Sequence, residues 1–517
     1  SPSLNFDETV VADVINSHIQ SAVLNDSCDI VTEQSFNSSL LSARIDRSKL
    51  MHLSGDQQQE LLQLIDEFQG CFDETPGYCP YVEHSITVNA DFKPRRLREY
   101  RIPEVLKPEV QRQIEELLRN GFIRPSNSPM ASPIVAVLKG PSGKNGVRLA
   151  IDYRFVNLHS QGDAFVMPHL LDSIQKVGAA RYISVWDARS GYWQLGMKEE
   201  SKWLTAFAYD GGLYEWNRMP FGLKSSGNSF CRCVQIILQP IHNFCFPFVD
   251  DMSVCSETWP QHMSQLRSFL TEIRKSGLTL SLKKCSLAQN EVRFVGHIIG
   301  SGRHRPDEVK LATISDLAKP ETKKDVRRMI GFFNYFHSYV PHLANLCVPF
   351  TNLLAKGKPN ELVWTVVEEQ AFENLKSALC ECVRANLFTA EWGKPFGIHC
   401  DSSKFAVGSC LVQWDDKGRE KPIAFASSKL SGAQLAWAAI EKEAYAIIWS
   451  LNKFRTWIFG SPITIFADSN PLTYLTASAP KSAKLSRWIL SLQEFDIVFK
   501  YVKGRDHVVP DYLSRPN

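Results

Sequence analysis

Residues 245–255 read CFPFVDDMSVC and place two adjacent carboxylates, Asp250 and Asp251, between short apolar runs. The flanking residues are mostly apolar and β-favouring, which predicts a hairpin with the acidic pair at its turn. Two neighbouring like charges are costly unless a cation shares them. A solvent-exposed turn is the commoner explanation of an isolated Asp-Asp pair, so the choice depends on the rest of the chain.

The composition sets broad limits on the answer. A chain of 517 residues is too long for one core, so several domains are expected. With 44% hydrophobic and 22% charged residues it has the composition of a soluble globular protein. The net charge of +3 means that nucleic-acid binding must come from local basic clusters. No apolar run reaches the ~18 residues of a membrane span. The 13 cysteines are not spaced like zinc ligands, so we expect reduced intracellular thiols.

The first 138 residues are predicted to contain a loosely ordered arm, two helices, a loop and a strand. The chain begins at Ser1 without Met or a signal-peptide pattern, so we expect a segment of a longer polypeptide, with residues 1–50 as a linker or loosely ordered arm. Apolar spacing predicts helices from Ser54 and over 108–120. Dense proline over 123–133 predicts an irregular loop leading into a strand over 134–138.

A third carboxylate follows an apolar strand. The strand over 182–187 ends at Asp187, and an aromatic residue, Tyr192, comes after the next glycine. A strand-end Asp is often only a helix cap, but beside an Asp-Asp hairpin it would complete a set of three. Oxygen ligands with open positions suit Mg²⁺. Two such ions roughly 3.5–4 Å apart would clamp the attacking and leaving oxygens of an in-line phosphoryl transfer.

A Gly-rich basic segment precedes this strand. It carries Lys139, Lys144 and Arg148 between two apolar strands. Such a hairpin tip is able to close on a polyphosphate. A basic tip that is merely solvated is the more common case, so this segment is weak evidence by itself.

Five motifs in a fixed order resemble one family. They are 148–154, 187–192, 219–224 (MPFGLK), 248–251 (FVDD) and 294–297 (FVGH). In this order they resemble reverse transcriptases of gypsy-type LTR retrotransposons, which are related to retroviral and pararetroviral polymerases. The resemblance extends from about Phe68 to the C-terminus and implies an α+β and α/β multidomain chain. Its implied parts are fingers and palm of a right-hand polymerase (51–303), thumb (304–348), connection segment (349–394) and RNase H-like domain (395–517).

The resemblance also implies residue roles in polymerisation. Asp187, Asp250 and Asp251 would hold two metal ions, with the Ala188 carbonyl as a further ligand. Tyr192 would be the steric gate that excludes the ribose 2′-OH, the group that distinguishes RNA from DNA precursors; a packing aromatic is the alternative. The implied nucleotide contacts are Lys139, Lys144, Arg148, Tyr192, Phe221 and Gly222. The implied duplex contacts are Lys224 and a primer grip formed by Phe294, Val295, Gly296 and His297.

Two positions depart from the family pattern. Phe248 stands where Tyr is common, and Ser226-Gly227 stand where an Ala-Pro pair is common. Phe keeps the ring and loses only a hydroxyl, so we expect activity to survive. The glycine loosens a helix start near the template, which concerns fidelity or processivity more than the chemistry.

A basic helix is predicted after the grip. Residues 319–328 open a helix that carries Lys323, Lys324 and Arg327 beside aromatic residues. This pattern suits a thumb lying along a duplex backbone. A solvated helix face explains the same residues equally well.

A second acidic set begins near residue 395. Strands are predicted over 396–401, 407–414, 422–427 and 463–468, with a helix over 438–454. The resemblance implies that Asp401, Glu443, Asp468 and Asp511 hold the metal ions of an RNase H fold, whose two Mg²⁺ activate a water that cuts the RNA strand of a hybrid. Glu443 is preferred to Glu441 because the family's acid directly precedes the apolar helix run. Lys484, Arg487 and Trp488 are candidate hybrid contacts or an exposed helix face, and the role of His507 stays open.

The leading hypothesis is an enzyme that copies RNA and DNA templates into DNA and cleaves the RNA of RNA–DNA hybrids. It implies Mg²⁺ (or Mn²⁺) as cofactor, and RNA template, DNA primer, RNA–DNA hybrid and dNTPs as partners, with no membrane. A place in a Gag-Pol type polyprotein, in the cytoplasm within virus-like particles, is also implied; monomer and homodimer are both open. The alternatives are a domesticated non-enzymatic nucleic-acid-binding protein and a polymerase without nuclease. All seven acidic positions are filled, which favours the two-activity enzyme.

Overall fold

The computed structural model describes residues 41–138, 147–165, 169–307, 317–384, 386–467 and 483–501. The described residues of Gln20–Ser173 and Ala180–Val292 form one compact unit, here the N-terminal unit. Those of Ile174–Ala179 and Arg293–Asn517 form a second, the C-terminal unit. Most of the predicted arm, 1–40, lies outside the described residues. The finer boundaries between fingers, palm, thumb and connection stay a prediction.

The N-terminal unit is built from three sheets and the helices around them. Its helices are α1 (Gly55–Glu67), α2 (Lys107–Arg119), α3 (Arg154–His159), α4 (Leu170–Gly178, whose last turns count with the C-terminal unit), α5 (Glu199–Lys202), α6 (Ser226–Leu238) and α7 (Trp259–Ser276). Its strands are β1 (Cys79–His84), β2 (Ile123–Pro125), β3 (Ser132–Leu138), β4 (Val147–Ile151), β5 (Tyr182–Asp187), β6 (Leu195–Met197), β7 (Phe207–Tyr209), β8 (Gly212–Trp216), β9 (Cys245–Phe248), β10 (Asp251–Ser256) and β11 (Ser286–Gln289).

The four-stranded sheet of this unit carries the first acidic set. Its order is β11-β5-β10-β9, with antiparallel pairing throughout. Helix α7 packs against β10, and its Phe269 ring lies 5.4 Å from the ring of Trp186 in the neighbouring strand β5. Both rings are fully buried, as are Met252 and Val254. Successive residues of β5 and β10 are buried, so both faces of these central strands are covered, which explains why they are rich in apolar residues.

The other sheets are smaller or more mixed. A five-stranded sheet has the order β2-β8-β7-β3-β4, and β1 pairs with β6 in parallel. The predicted strand over 134–138 is confirmed, since β3 pairs antiparallel with β4. Helices α1 and α2 confirm the two predicted amphipathic helices. Ser54 caps the first through a reciprocal capping box with Gln57.

The prediction that 123–133 contains no regular structure was wrong. Residues Ile123–Pro125 form strand β2, which pairs antiparallel with β8 at the edge of its sheet, and β3 already begins at Ser132. Proline lacks a donor but keeps its carbonyl acceptor: the Asp152 amide donates to the Pro133 carbonyl oxygen at 2.9 Å. Proline at a strand end or sheet edge is therefore compatible with pairing.

The C-terminal unit contains a mixed sheet and a helical cluster. Its helices are α8 (Lys323–Tyr335), α9 (Leu343–Leu346), α10 (Val348–Leu353), α11 (Val366–Arg384), α12 (Gly432–Leu435), α13 (Ala439–Lys453), α14 (Arg455–Ile458) and α15 (Ala483–Leu492). Its strands are β12 (Val292–Phe294), β13 (His297–Gly300), β14 (Arg303–Pro306), β15 (Leu387–Phe388), β16 (Phe396–Ser402), β17 (Ala406–Trp414), β18 (Glu420–Lys429), β19 (Ile463–Ala467) and β20 (Ile497–Tyr501).

The larger sheet has the order β18-β17-β16-β19-β20. Its first three strands pair antiparallel, and β16, β19 and β20 pair in parallel. Helix α13 packs against β16 and β17. A second sheet, β12-β13-β14-β15, lies beside a core that includes the buried rings of Phe333, Phe350 and Phe372. The predicted strands and helix of this region are confirmed within the described residues; Asp468, the last residue of the strand predicted over 463–468, lies outside them. Strand β20 was not predicted from the sequence.

None of the helices in the described ranges is long and apolar enough to cross a membrane.

Gly277 provides a test of the packing in the N-terminal unit. It ends α7 with φ of 75°, and a Cβ there would lie 2.4 Å from the Tyr78 carbonyl oxygen. We expect Gly277→Ala to lower the free energy of unfolding by about 3 kcal/mol or more, since left-handed strain is joined by a backbone clash. Gly211 has φ of 78° with open space around it, so Gly211→Ala should cost only about 1–2 kcal/mol. Urea denaturation of both variants measures the two changes in the free energy of unfolding. Equal decreases would contradict the close contact between Gly277 and the Tyr78 carbonyl.

Candidate active sites

The first acidic set converges through strand register. Asp187 is the last residue of β5, and Asp251, the first residue of β10, lies directly opposite it. On its other side Asp251 pairs with Phe248, so the β9–β10 hairpin is closed by Val249 and Asp250 alone. The predicted hairpin is confirmed, with Asp250 in the turn and Asp251 at the start of the strand. Asp187, Asp250 and Asp251 are all half-buried.

The three aspartates lie beside a constrained turn and two buried cysteines. Val249 has a positive φ of 56°, which is uncommon for a branched residue and marks a tightly constrained turn. Burial, with a further contribution from Asp250, raises the pKa of the Cys231 thiol to about 12. Burial also raises the pKa of Cys285 to about 12, and the charges of Asp187 and Asp251 act in the same direction. Both thiols therefore lie protonated next to the acidic set.

A lysine that the sequence analysis missed faces the first carboxylate. The Lys284 ammonium nitrogen lies 3.5 Å from Asp187 Oδ1. The Ser281 amide donates to the Asp187 carbonyl at 2.9 Å, which brings the segment that carries Lys284 to the end of β5. Ala188 is buried and pairs with Leu280 in the same segment. No local sequence signal joins residues 187 and 284, so only the fold could bring them together.

The side chains of the first acidic set offer oxygen donors for a divalent cation. Carboxylate oxygens are the ligands that Mg²⁺ prefers, and Mg²⁺ usually takes one or two of them together with water and substrate phosphates. Within the described ranges no group of three or more His, Cys, Asp or Glu side chains is arranged to hold a metal ion by itself. Adjacent strand positions for Asp187 and Asp251 nevertheless supply the oxygen donors that such a shared site requires. The residues fit Mg²⁺ bound jointly with substrate.

The predicted gate residue lies in an aromatic cluster. The Tyr192 ring is buried, 5.0 Å from the Phe221 ring and 5.8 Å from the Phe230 ring. The structure thus brings Tyr192 and Phe221 together, as predicted, and adds Phe230 from α6. A Cβ on Gly227 would lie 3.4 Å from the Tyr192 hydroxyl, so the glycine that departs from the family pattern borders this same group. Phe248, the other departure, is buried.

The remaining nucleotide and template candidates are placed by α3 and β4. The Gly222 carbonyl accepts from Asn157 Nδ2 at 2.8 Å, and the Lys224 amide donates to Asn157 Oδ1 at 2.8 Å. The Lys224 ammonium donates to the Ser160 carbonyl at 3.3 Å. Arg148 is half-buried in β4, opposite Val137. Lys139 and Lys144 lie outside the described residues.

The predicted primer grip is a tight turn of the C-terminal unit. Phe294 ends β12, His297 begins β13, and Val295 and Gly296 form the turn with φ of 45° and 75°. The predicted helix that follows begins at Lys323, after an N-cap on Thr322.

Three basic residues of this helix, α8, were candidates for the duplex. Lys324 and Arg327 are exposed. Lys323 is half-buried, and its ammonium donates to the Ala355 carbonyl at 3.1 Å. Lys324 and Arg327 thus remain accessible to a backbone phosphate, whereas Lys323 has a partner within the unit.

The second acidic set is only partly described. Asp401 is exposed near the end of β16, and β19 runs parallel to β16 and ends at Ala467. Asp468, Asp511 and His507 lie outside the described residues. Glu443 is half-buried in the first half of α13, the helix that packs on β16 and β17. The described residues therefore put Asp401 and Glu443 on elements that pack together.

An aromatic cluster holds one of the predicted hybrid contacts. The Lys484 ammonium pairs with Glu441 and lies 3.7 Å from the centre of the Trp437 ring and 5.0 Å from that of Trp488. Cation–π contacts of this kind stabilise an ammonium group in place. Lys484 therefore joins α15 to α13, while Arg487 is exposed. The pairing of Glu441 with Lys484 is consistent with choosing Glu443 as the acidic ligand.

Two protein-family models match this chain, one mainly in the N-terminal unit and one in the C-terminal unit. The family model described as "Reverse transcriptase (RNA-dependent DNA polymerase)" matches residues 137–299, and the "RNase H-like domain found in reverse transcriptase" matches residues 391–495. The chain is 34% identical over 479 residues to the retrovirus-related Pol polyprotein from transposon opus of Drosophila melanogaster, covering 89% of this chain and 47% of that protein. It is 29% identical over 423 residues to the corresponding polyprotein from transposon gypsy of the same organism, covering 79% and 40%. The chain thus spans about half the length of the curated relatives it matches.

A solved structure supports the same fold. The foamy viral protease-reverse transcriptase in complex with dsDNA is 25% identical, covers 92% of this chain and 99% of that chain, and superposes with a TM-score of 0.77. The predicted multidomain polymerase fold with an RNase H-like domain is confirmed. The chain thus contains a reverse transcriptase domain and an RNase H-like domain, and it is similar to the Pol polyproteins of gypsy-type retrotransposons.

Proposed function

We propose that this chain synthesises DNA on RNA and DNA templates and cleaves the RNA strand of RNA–DNA hybrids. The observation that carries the polymerase half is the register that sets Asp251 opposite Asp187, with Asp250 in the adjoining turn. It lies within the residues that match the reverse transcriptase family. A non-enzymatic binder would have no need for three half-buried carboxylates at adjacent positions, which are costly to hold together.

We propose Mg²⁺ as the cation of the polymerase site, with Mn²⁺ as a substitute. Held by Asp187, Asp250 and Asp251, it would neutralise charge on the reacting phosphates and the attacking oxygen. Side chains of the protein would select and bind the nucleotide. Tyr192, which packs against Phe221 and Phe230, would exclude a ribose 2′-OH, and Arg148 on β4 would be a cationic partner for the triphosphate.

We propose a second Mg²⁺ site for hybrid cleavage. Asp401 and Glu443 are its described members, and Asp468 and Asp511 complete it in this proposal. The exposed Asp401 at a strand end lets a duplex approach from solvent. Arg487, also exposed, is a candidate phosphate contact.

The partners follow from the two activities. They are an RNA or DNA template, a DNA primer, the RNA–DNA hybrid and dNTPs. The relative in the solved complex is bound to dsDNA, which supports binding of a duplex by this fold. We further propose that the chain works as part of a Gag-Pol type polyprotein in cytoplasmic virus-like particles, in line with its match to about half of each curated relative.

Separate substitutions should separate the two activities. Asp250→Asn keeps the shape of the turn residue and removes its charge, so primer extension should fall at least about 100-fold while hybrid cleavage continues. Asp401→Asn should have the opposite effect. Extension of a DNA primer on an RNA template and cleavage of a labelled hybrid measure both.

Two exposed turn aspartates, Asp210 and Asp416, supply controls for these variants. Their Asn substitutions should leave extension and cleavage at wild-type rates. If Asp250→Asn extends primers normally, the polymerase site is misassigned. If the folded wild type binds hybrid without extending or cleaving, the chain is a binding protein and not an enzyme.

Removing the gate ring should admit ribonucleotides. Tyr192→Ala opens the space beside Phe221, so the ratio of rNTP to dNTP incorporation efficiency should rise about tenfold or more. Tyr192→Phe keeps the ring and should keep discrimination. Single-nucleotide incorporation kinetics measure the ratio, and an unchanged ratio in Tyr192→Ala would show that the ring only packs.

A further inference from the structure

The grip turn has a backbone conformation that needs support. Val295 is a branched residue held at φ of 45°, in the left-handed region that such residues rarely adopt. The Asp307 amide donates to the Gly296 carbonyl oxygen at 3.1 Å and secures one side of the turn. The Val295 carbonyl oxygen is the other main-chain acceptor at the turn, and its partners come from side chains.

Those partners include helix α8. The Tyr335 hydroxyl, near the end of α8, donates to the Val295 carbonyl oxygen. The His297 Nδ1 atom lies 3.0 Å from the same oxygen. Burial raises the pKa of Tyr335 well above its usual value, so the hydroxyl keeps its proton and stays a donor.

The rings around the turn strengthen the connection. His297 stacks on Tyr339 with centroids 5.4 Å apart and planes at 25°, and its centroid lies 5.3 Å from that of Tyr335. Tyr335 and Tyr339 thus hold one histidine of the turn between them. The two hydroxyls have different hydrogen-bond partners: that of Tyr335 bonds to the Val295 carbonyl, and that of Tyr339 lies 2.7 Å from Nδ1 of the buried His304.

The same helix presents basic residues to solvent. Val326, Met329 and Phe333 are buried, whereas Lys324 and Arg327 are exposed. Lys324, Arg327 and Tyr335 belong to the same helix, and Tyr335 bonds to the turn. A movement of α8 at its exposed face would therefore also move the turn. The capping box between Thr322 and Asp325 keeps the start of α8 ordered.

We propose that Tyr335 is a positioning residue for polymerisation: its hydroxyl ties the primer-grip turn to helix α8. Contact of the helix with the duplex backbone then sets the position of the turn, and through it the primer 3′ end. This inference rests on the proposed function, which identifies 294–297 as a primer grip. Tyr335 acts through Val295 in this role and takes no part in the chemistry.

Tyr335→Phe and Tyr339→Phe are a matched pair for testing it. Each removes one hydroxyl and keeps the ring that lies against His297. Hydrogen exchange of a peptide covering 293–299 should become about three- to tenfold faster in Tyr335→Phe, as expected for the loss of one hydrogen bond. It should be unchanged in Tyr339→Phe. Equal exchange in Tyr335→Phe and wild type, or equal acceleration in both variants, would overturn the proposal.

A second measurement separates positioning from general destabilisation. On one RNA–DNA hybrid, Tyr335→Phe should add the first nucleotide about three- to tenfold more slowly and cleave the RNA at the wild-type rate. Tyr339→Phe should leave the ratio of the two rates unchanged. A parallel loss of both activities in Tyr335→Phe, or unchanged extension, would overturn the positioning role.

The outcomes also distinguish this inference from the proposed function. A wild-type chain that neither extends nor cleaves would refute the proposed function. The exchange experiment needs no activity, so even then faster exchange confined to Tyr335→Phe would support the tie between turn and helix, and its absence would refute it.

Discussion

The register of two paired strands brings three aspartates to neighbouring backbone positions. Asp187 and Asp251 lie opposite each other in register, and Asp250 is in the turn next to them. Such crowding is unfavourable without a cation, so the backbone has to be held from elsewhere. The buried layer of Trp186, Phe269, Met252 and Val254 provides that support. A slip of one residue in β10 would move Asp251 away from Asp187 and exchange the buried apolar and buried polar positions of the strand, which is why the register is strongly specified.

Local patterns predicted the parts of the site that are close in sequence. Residues 245–255 combine an acidic pair with β-favouring neighbours, and the hairpin forms where this pattern predicts it. The order of motifs then indicated a resemblance to reverse transcriptases, because five separate segments had to agree. The edge strand at Ile123–Pro125 was missed because proline was treated as excluding pairing, although its carbonyl can still accept.

Long-range side-chain contacts were beyond the reach of such patterns. Lys284 faces Asp187, Phe230 supports Tyr192, and Tyr335 bonds to the carbonyl of Val295. In each case a motif residue is held by a partner that lies outside its own motif. Lys484 is a similar case, since a lysine that the sequence offered as a hybrid contact or as part of an exposed helix face pairs with Glu441 within an aromatic cluster. Composition and spacing report a residue's chemical type, whereas its partner is set by tertiary packing.

We propose that the two acidic sites, one in each compact unit, act on the same hybrid. The most direct test supplies the full chain with an RNA template, a labelled DNA primer, dNTPs and Mg²⁺, and follows both strands in one reaction. We expect the DNA strand to lengthen while the RNA strand is cut, and chelation of the metal to stop both. Stable binding of the hybrid with neither strand changed in the presence of Mg²⁺ would contradict it.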